Sequence, residues 1–231
     1  MVVAAYLSRD PTLLGEVREG TDFHQLNKER FGLPTRTVAK RFKFGLLYGK
    51  TAWGLAHDSD FFDVSRSEDF WQNVIDEYYK KYSGVNRWHD SLVRQAINTG
   101  KLVMPTGRCY AFPSKDVIQR QWFWRPKILN YPVQGTGADL VAIGRVTAFK
   151  RIKAKYGEKV LFISTVHDSI DLDLLDKSEE LVYNVCIDLE KAINDIPENF
   201  YRLFKQVLDV PVDVEIKFGP NLGELTEWKR N

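Results

Sequence analysis

The sequence predicts an α+β fold, mostly helical with one small antiparallel sheet. Two observations predict it. Helical periodicity runs through most of the first 156 residues, and two β-rich apolar runs follow, separated by only two residues. Because strands do not alternate regularly with helices, a doubly wound parallel sheet is excluded. The chain has 231 residues, of which 44% are hydrophobic, so it can bury a sizeable core. No repeat or linker divides it, and we expect one module over 1–231.

The helices follow in chain order. Residues 1–7 are apolar and predict a helix, although no capping residue precedes them. Periodicity predicts further helices near 11–19, 22–31, 35–49, 66–82, 86–99, 116–125 and 134–156.

The strands are fewer. Residues 101–113 predict a hairpin that turns at Thr106-Gly107. Val160–Val166 and Ser169–Leu174 predict two strands joined by a tight turn at His167-Asp168. A long helix over 178–206 and a last strand at Val210–Phe218 complete the prediction.

Composition excludes several classes of protein. With 33 Lys+Arg against 31 Asp+Glu the chain is no histone-like polycation, so any nucleic-acid site must be a local basic patch. The two cysteines, Cys109 and Cys186, cannot make a disulfide framework, which favours a reducing, cytoplasmic location. No apolar run approaches the roughly 18 residues that span a bilayer, and we expect no membrane partner.

The most informative segment is RTVAKRFKFGLLYG, residues 36–49. Arg36, Lys40, Phe44 and Tyr48 recur at every fourth position and form one stripe on a helix, about 18 Å long. Two cations are followed by two aromatic rings, which is the order of phosphates, sugar and base in an extended nucleoside triphosphate. The alternative is an ordinary amphipathic surface helix. In that case Phe42, Phe44, Leu46 and Leu47 pack inward and Arg36, Lys40, Arg41 and Lys43 are solvated.

Two other groups of residues allow two interpretations each. The turn at His167-Asp168 exposes a carboxylate that could bind a divalent cation, or it is simply a structural turn. Asn130 and Gln134 lie one helical turn apart, and their amides could bond the minor-groove acceptors that every base pair shows. The alternative for these two amides is helix capping around Pro132.

These segments resemble motifs of the family A DNA polymerases, the DNA polymerase I-like enzymes. Residues 36–49 resemble motif B and residues 165–169 (TVHDS) resemble motif C. Further blocks in family order are LSRDP at 7–11, EGTDFH at 19–24, FG at 31–32, NYPVQGTGAD at 130–139 and GPNLGELTEW near the C-terminus. The resemblance covers nearly the whole chain. It implies a right-hand polymerase fold in part, with fingers at about 12–100 and palm at 1–11 and 101–231.

The resemblance also implies roles for individual residues. Asp168 and Lys40 are the expected catalytic residues, and Asp168 is the expected ligand of Mg²⁺, of which the complete site holds two ions. The expected dNTP-binding residues are His24, Arg36, Lys40, Phe44 and Tyr48. The expected contacts to primer–template DNA are Gly49, Arg108, Asn130, Gln134 and His167. From its position alone, His24 could equally be a histidine at a helix N-terminus.

Three features depart from the family pattern. The family usually has Glu after the motif C aspartate, where this chain has Ser169, and Arg where it has Pro126. Motif A, with a second essential aspartate, would fall before Met1. We therefore expect a second polypeptide or an upstream segment to supply motif A and the thumb, and expect no DNA synthesis from the chain alone. We therefore expect either a split, phage-type polymerase or a fragment of a longer one.

Two other functions remain as alternatives. One is a non-catalytic nucleotide- or DNA-binding accessory protein derived from a polymerase. The other is a His-Asp metal phosphohydrolase, which needs more His ligands than the four scattered histidines supply.

Overall fold

The computed structural model describes residues 1–176 and 178–230, without the side chains of Ser114, Gln121 and Trp122. The chain forms two compact units, Met1–Thr136 and Gly137–Asn231. Helices dominate, and the described strands pair in two-stranded antiparallel sheets, which confirms the predicted α+β class. No described helix has the length and apolar character needed to cross a membrane. The division into two units differs from the expected fingers and palm boundaries, which stay a prediction.

Polar residues cap several helices of the first unit. Asp10, Asp22, Thr35, Thr51 and Ser67 each accept a hydrogen bond from a backbone N–H of the helix that follows, which satisfies donors that lack an intrahelical partner. The helices are α1 Val2–Ser8, α2 Pro11–Arg18, α3 Phe23–Arg30, α4 Arg36–Leu47, α5 Ala52–Ala56, α6 Glu68–Lys81, α7 Ser83–Thr99 and α8 Ser114–Gln119, with a 3₁₀ turn at Ser59–Phe61.

Aromatic packing fixes α4 within this unit. The ring of Phe42 lies 5.9 Å from that of Phe31, 5.8 Å from that of Trp71 and 6.1 Å from that of Tyr78, measured between centroids. All four side chains are buried. Such edge and offset contacts add to the burial of apolar surface and hold α4 against α6.

The close approach of α2 and α7 requires a glycine. The buried carboxylate of Asp10 accepts from the backbone N–H of Leu13 at 2.8 Å and from that of Gly84 at 2.6 Å. A Cβ at Gly84 would lie 2.7 Å from the Cα of Asp10. Only a residue without a side chain therefore allows this contact.

The predicted hairpin is present as β1 Lys101–Val103 and β2 Cys109–Ala111, with Leu102 opposite Tyr110. Gly107 turns the chain with φ 82°, a value that favours glycine. Residues of the hairpin, α7, α8 and the next helix form one hydrophobic cluster: Leu92, Val93, Ala96, Leu102, Met104, Phe112, Val117, Ile128 and Leu129.

Helix α9, Gln121–Tyr156, corrects the prediction of separate helices at 116–125 and 134–156. Pro126 and Pro132 lie inside it, although an interior proline removes a hydrogen bond and usually ends a helix. Ile128 and Leu129, both fully buried, pack in the hydrophobic cluster between these prolines. Local sequence patterns consider only neighbouring residues, so they do not include this packing between distant segments.

In the second unit, β3 Val160–Ser164 pairs with β4 Asp171–Leu174, so the predicted strands are present but shorter at the turn. The predicted helix over 178–206 is two helices, α10 Glu179–Asn194 and α11 Ile196–Phe204, because Pro197 falls where a continuous helix would need its N–H. The segment Val210–Phe218 forms strand only in β5 Lys217–Phe218, which pairs with β6 Thr226–Glu227.

Candidate functional site

Helix α4 carries the stripe that the sequence predicts. Thr35 caps the helix by accepting from Val38 N–H at 3.1 Å. Arg36 and Lys40 are exposed, while Phe44 and Tyr48 are half-buried. The rings of Phe44 and Tyr48 stack with their centroids 6.2 Å apart. The surface thus presents two cations near the positive end of a helix, then two aromatic rings.

The inner face of α4 contains an unexpected lysine. The surface-helix interpretation correctly places Phe42, Leu46 and Leu47 inside. Its expectation that Lys43 is solvated is wrong, because Lys43 is fully buried. The Lys43 Nζ lies 4.1 Å from the centroid of the Phe23 ring and has no hydrogen-bond partner within the described part of the chain. Burial lowers the pKa of Lys43 to about 7.

Asp22 and His24 connect the start of α3 with α4. Asp22 Oδ1 accepts from the backbone N–H groups of His24 and Gln25, and its Oδ2 accepts from Arg36 Nε at 2.9 Å. The ring of His24 lies 6.1 Å from that of Phe44. Burial, together with the neighbouring cations Lys43 and Arg36, lowers the pKa of His24. His24, Arg36 and Phe44 therefore belong to one surface.

A cavity of about 450 Å³ adjoins this surface. Arg41 Nη1 lies 2.8 Å from Asp60 Oδ1 and Lys50 pairs with Asp58 in its wall. Its lining residues are Thr37, Lys40, Arg41, Phe44, Lys50, Asp58, Asp60 and Phe61.

The C-terminal end of α4 contacts α9 directly. The Tyr48 hydroxyl accepts from Gln134 Nε2 at 3.2 Å, and burial raises the pKa of that hydroxyl. Gly49 has φ 81°, and a Cβ there would lie 3.0 Å from Leu129 Cδ1. One turn before Gln134, the Asn130 Oδ1 is buried without a hydrogen-bond partner among the described residues.

Arg108 and Tyr110 lie over Gly135 of α9. A Cβ at Gly135 would lie 2.8 Å from Arg108 Cδ and 2.9 Å from Tyr110 Cζ. A glycine is therefore needed at this position of α9, because any side chain would collide with Arg108 and Tyr110.

The second unit contains the His167-Asp168 turn. Ser169 N–H donates to Val166 O at 2.9 Å, which closes the turn, and His167 has φ 54°. Asp168 is exposed, and Ser169 Oγ contacts Asp171 Oδ1 at 3.4 Å. Among residues 1–176 and 178–230 no three His, Cys, Asp or Glu side chains form a group that could hold a metal ion. The residues around Asp168 therefore do not fit a Mg²⁺ site on their own.

The expected site residues fall into two sets. The first unit contains His24, Arg36, Lys40, Phe44, Tyr48, Gly49, Arg108, Asn130 and Gln134, and the second contains His167 and Asp168. Sequence reasoning missed one residue of this site, Asp22. A capping pattern could have placed Asp22 at the start of α3, whereas its bond to Arg36, 14 residues away, has no local signal.

Comparison with known proteins indicates the family of this chain. The model of DNA polymerase family A matches residues 1–224. The DNA polymerase of Bacillus phage SP01 is 27% identical over 239 residues, covering 98% of this chain and 25% of the phage protein. DNA polymerase I of Pseudomonas aeruginosa is 31% identical over 233 residues, covering 96% of this chain and 23% of that protein. This chain thus spans about a quarter of the length of these relatives.

A solved structure shows the same fold. It is the POL domain of Pol1 from M. smegmatis in complex with DNA primer-template and dNTP, with a TM-score of 0.75 and 24% identity. The match covers 92% of this chain and 36% of that chain. Since the family match extends over nearly all of the sequence, the chain belongs to DNA polymerase family A.

Proposed function

We propose that the chain is the part of a template-directed DNA polymerase that binds the incoming dNTP and the primer–template. The observation that carries this proposal is the α4 stripe, in which Arg36 and Lys40 precede the stacked rings of Phe44 and Tyr48. A solved relative in the same fold is described as a complex with primer-template and dNTP.

The triphosphate would bind at the N-terminal half of the stripe. Arg36 offers a guanidinium fork and Lys40 a point charge, and both gain from the positive end of α4. His24, beside Phe44, adds a nitrogen donor or acceptor near the same place. Lys40 acts as a catalytic residue here by stabilising negative charge on the phosphates during transfer.

The base and the DNA would bind towards the other end. Phe44 would lie against the sugar and Tyr48 beside the new base pair. Gln134 and Asn130 would contact minor-groove acceptors that all base pairs share, which tests pair shape without reading sequence. Gly49, Arg108 and His167 are proposed as further DNA contacts.

The metal site needs more than this chain. We propose that Asp168 supplies one carboxylate ligand of the Mg²⁺ site, and that a second polypeptide or an upstream segment with motif A and the thumb supplies the others. The resemblance to the family supports this division, and the described residues around Asp168 form no complete cation site.

Primer extension tests the proposal. The chain alone should extend no primer, whereas its mixture with a polypeptide carrying motif A and the thumb should extend one when Mg²⁺ is present. Asp168→Asn should abolish extension by the mixture, and Asp173→Asn, an exposed aspartate on β4, should not. Robust extension by the chain alone, or full activity of D168N, contradicts the proposal.

The accessory-protein alternative rests on Ser169, which stands where the family usually has Glu. If the mixture binds primer–template and dNTP but never extends the primer, this alternative holds instead.

A further inference from the structure

We propose that Asp22 is a positioning residue for Arg36. Its carboxylate holds the guanidinium so that the two terminal nitrogens face the triphosphate. This inference rests on the proposed function of the α4 stripe. Asp22 is not among the expected binding residues, so the inference adds a carboxylate to the site.

The carboxylate of Asp22 is itself fixed to the backbone. Its Oδ1 accepts from His24 N–H at 3.0 Å and from Gln25 N–H at 3.1 Å, as the cap of α3. Its Oδ2 is then free to accept from Arg36 Nε at 2.9 Å. Two helix N-termini, those of α3 and α4, are thereby joined through one side chain.

This arrangement leaves one edge of Arg36 for a ligand. Asp22 accepts from Nε of Arg36. The Arg36 side chain makes no other hydrogen bond or ion pair with the described residues. The Arg36 side chain is 57% exposed, so its two terminal nitrogens can reach a phosphate. An arginine that binds through both terminal nitrogens grips phosphate oxygens bidentately. The bond to Arg36 also lowers the pKa of Asp22 to about 2, because the cation stabilises the ionised carboxylate.

Two opposing effects decide the result of removing the carboxylate charge. Asp22 repels an anion, but it and Arg36 are both about half exposed, and solvent screens that repulsion. Asp22 also orders Arg36 before the ligand arrives. Ordering one long side chain on binding corresponds to a loss of about three- to tenfold in affinity. We expect the ordering effect to be the larger.

The test compares Asp22→Asn with Asp60→Asn in the full chain. An asparagine at position 22 still caps α3 with its oxygen, but its NH₂ group cannot accept from Arg36 Nε. Asp60 is the matched control, because it pairs with Arg41, which lies on α4 as Arg36 does. Asp60 Oδ1 is 2.8 Å from Arg41 Nη1, and the Asp60 side chain is 50% exposed. Binding of 2′-deoxyguanosine triphosphate and of deoxyguanosine is measured by calorimetry, with EDTA present so that metal ions play no part.

D22N should bind the triphosphate about three- to tenfold more weakly than the unaltered chain. D60N should not weaken binding, deoxyguanosine should not distinguish the variants, and D22N should have no effect in an Arg36→Ala background. Unchanged or tighter triphosphate binding by D22N overturns the inference, as does equal weakening of deoxyguanosine binding. If the unaltered chain binds no triphosphate at all, the proposed function of the stripe fails as well.

Discussion

The Tyr48 hydroxyl accepts a hydrogen bond from Gln134 Nε2 at 3.2 Å, across a sequence separation of 86 residues. The bond joins the C-terminal end of α4 to α9 within the first unit. In the proposed function Tyr48 lies beside the new base pair and Gln134 contacts its minor groove. The amide NH₂ has two donors, so one can keep the bond to Tyr48 while the other reaches a minor-groove acceptor.

Replacement of Gln134 tests its proposed contact with DNA. Gln134→Ala should weaken binding of a primer–template duplex about fivefold, the effect of one hydrogen bond worth about 1 kcal/mol. Fluorescence anisotropy with a labelled duplex measures this. Gln72→Ala, which removes an exposed amide from α6, is the control and should not weaken binding. An equal loss in both variants would show that Gln134 has no special role.

The contact between Asp10 and Gly84 gives a prediction for stability. Gly84→Ala should lower the free energy of unfolding by about 2–4 kcal/mol, because the new Cβ would meet the Asp10 backbone at 2.7 Å and displace the buried carboxylate. Gly15→Ala is the control: nothing lies within 4 Å of its Cβ position in α2, so it should be neutral or stabilising. Urea unfolding measures both. A neutral Gly84→Ala would refute the close-approach argument.

Lys43 should destabilise the fold at neutral pH. Its pKa falls to about 7 in the folded chain because of burial, whereas the unfolded chain keeps the ordinary lysine pKa near 10.4. Between these values the unfolded state binds more protons, so the contribution of Lys43 to stability rises with pH. Lys43→Met should raise the free energy of unfolding at pH 7 by about 1–3 kcal/mol and by less at pH 9.5.

Urea unfolding at the two pH values measures this difference. Lys40→Met, on the exposed face of the same helix, should change neither value by more than about 0.5 kcal/mol. A Lys43→Met variant less stable than the unaltered chain would mean that the contact with the Phe23 ring outweighs burial.

The sequence could predict those features that depend on neighbours along the chain. The helix that begins near residue 35, the spacing of four residues between successive members of the stripe from Arg36 to Tyr48, and the turn at Gly107 are all local signals. The structure has each of them. The strand that follows His167-Asp168 is also a local signal. The structure has it as β4, which begins at Asp171, two residues later than predicted.

Other features depend on packing between distant segments. Periodicity predicted two helices at 116–125 and 134–156, whereas the structure has the single helix α9, in which the buried Ile128 and Leu129 pack against distant segments. The burial of Lys43 against Phe23 and the bond of Asp22 to Arg36 likewise join residues that no periodicity relates. These long-range contacts set the environment of the candidate site.

A buried histidine gives a second pH-dependent prediction. Burial, with the charge of Arg125 as a smaller cause, lowers the pKa of His89 to about 3. The unfolded chain protonates His89 near pH 6.5, so stability should be full above that pH and fall as the pH decreases towards 3. From pH 7 to pH 5 this one group should cost about 2 kcal/mol. Urea unfolding should show that His89→Leu removes this slope and that His57→Leu, at an exposed position, does not.

Phe44 gives a prediction for sugar selection, to be tested in the mixture that extends a primer. By resemblance to the family, a phenylalanine here leaves a gap near the sugar 3′ position that disfavours dideoxynucleotides. The half-buried ring of Phe44 stacks on Tyr48 and lines the cavity next to α4. Phe44→Tyr should raise the ratio of dideoxy to deoxy incorporation, measured by chain termination on a primed template. Phe62→Tyr, at an exposed position outside the stripe, should leave this ratio unchanged. If Phe44→Tyr also leaves the ratio unchanged, Phe44 does not contact the sugar in the proposed way.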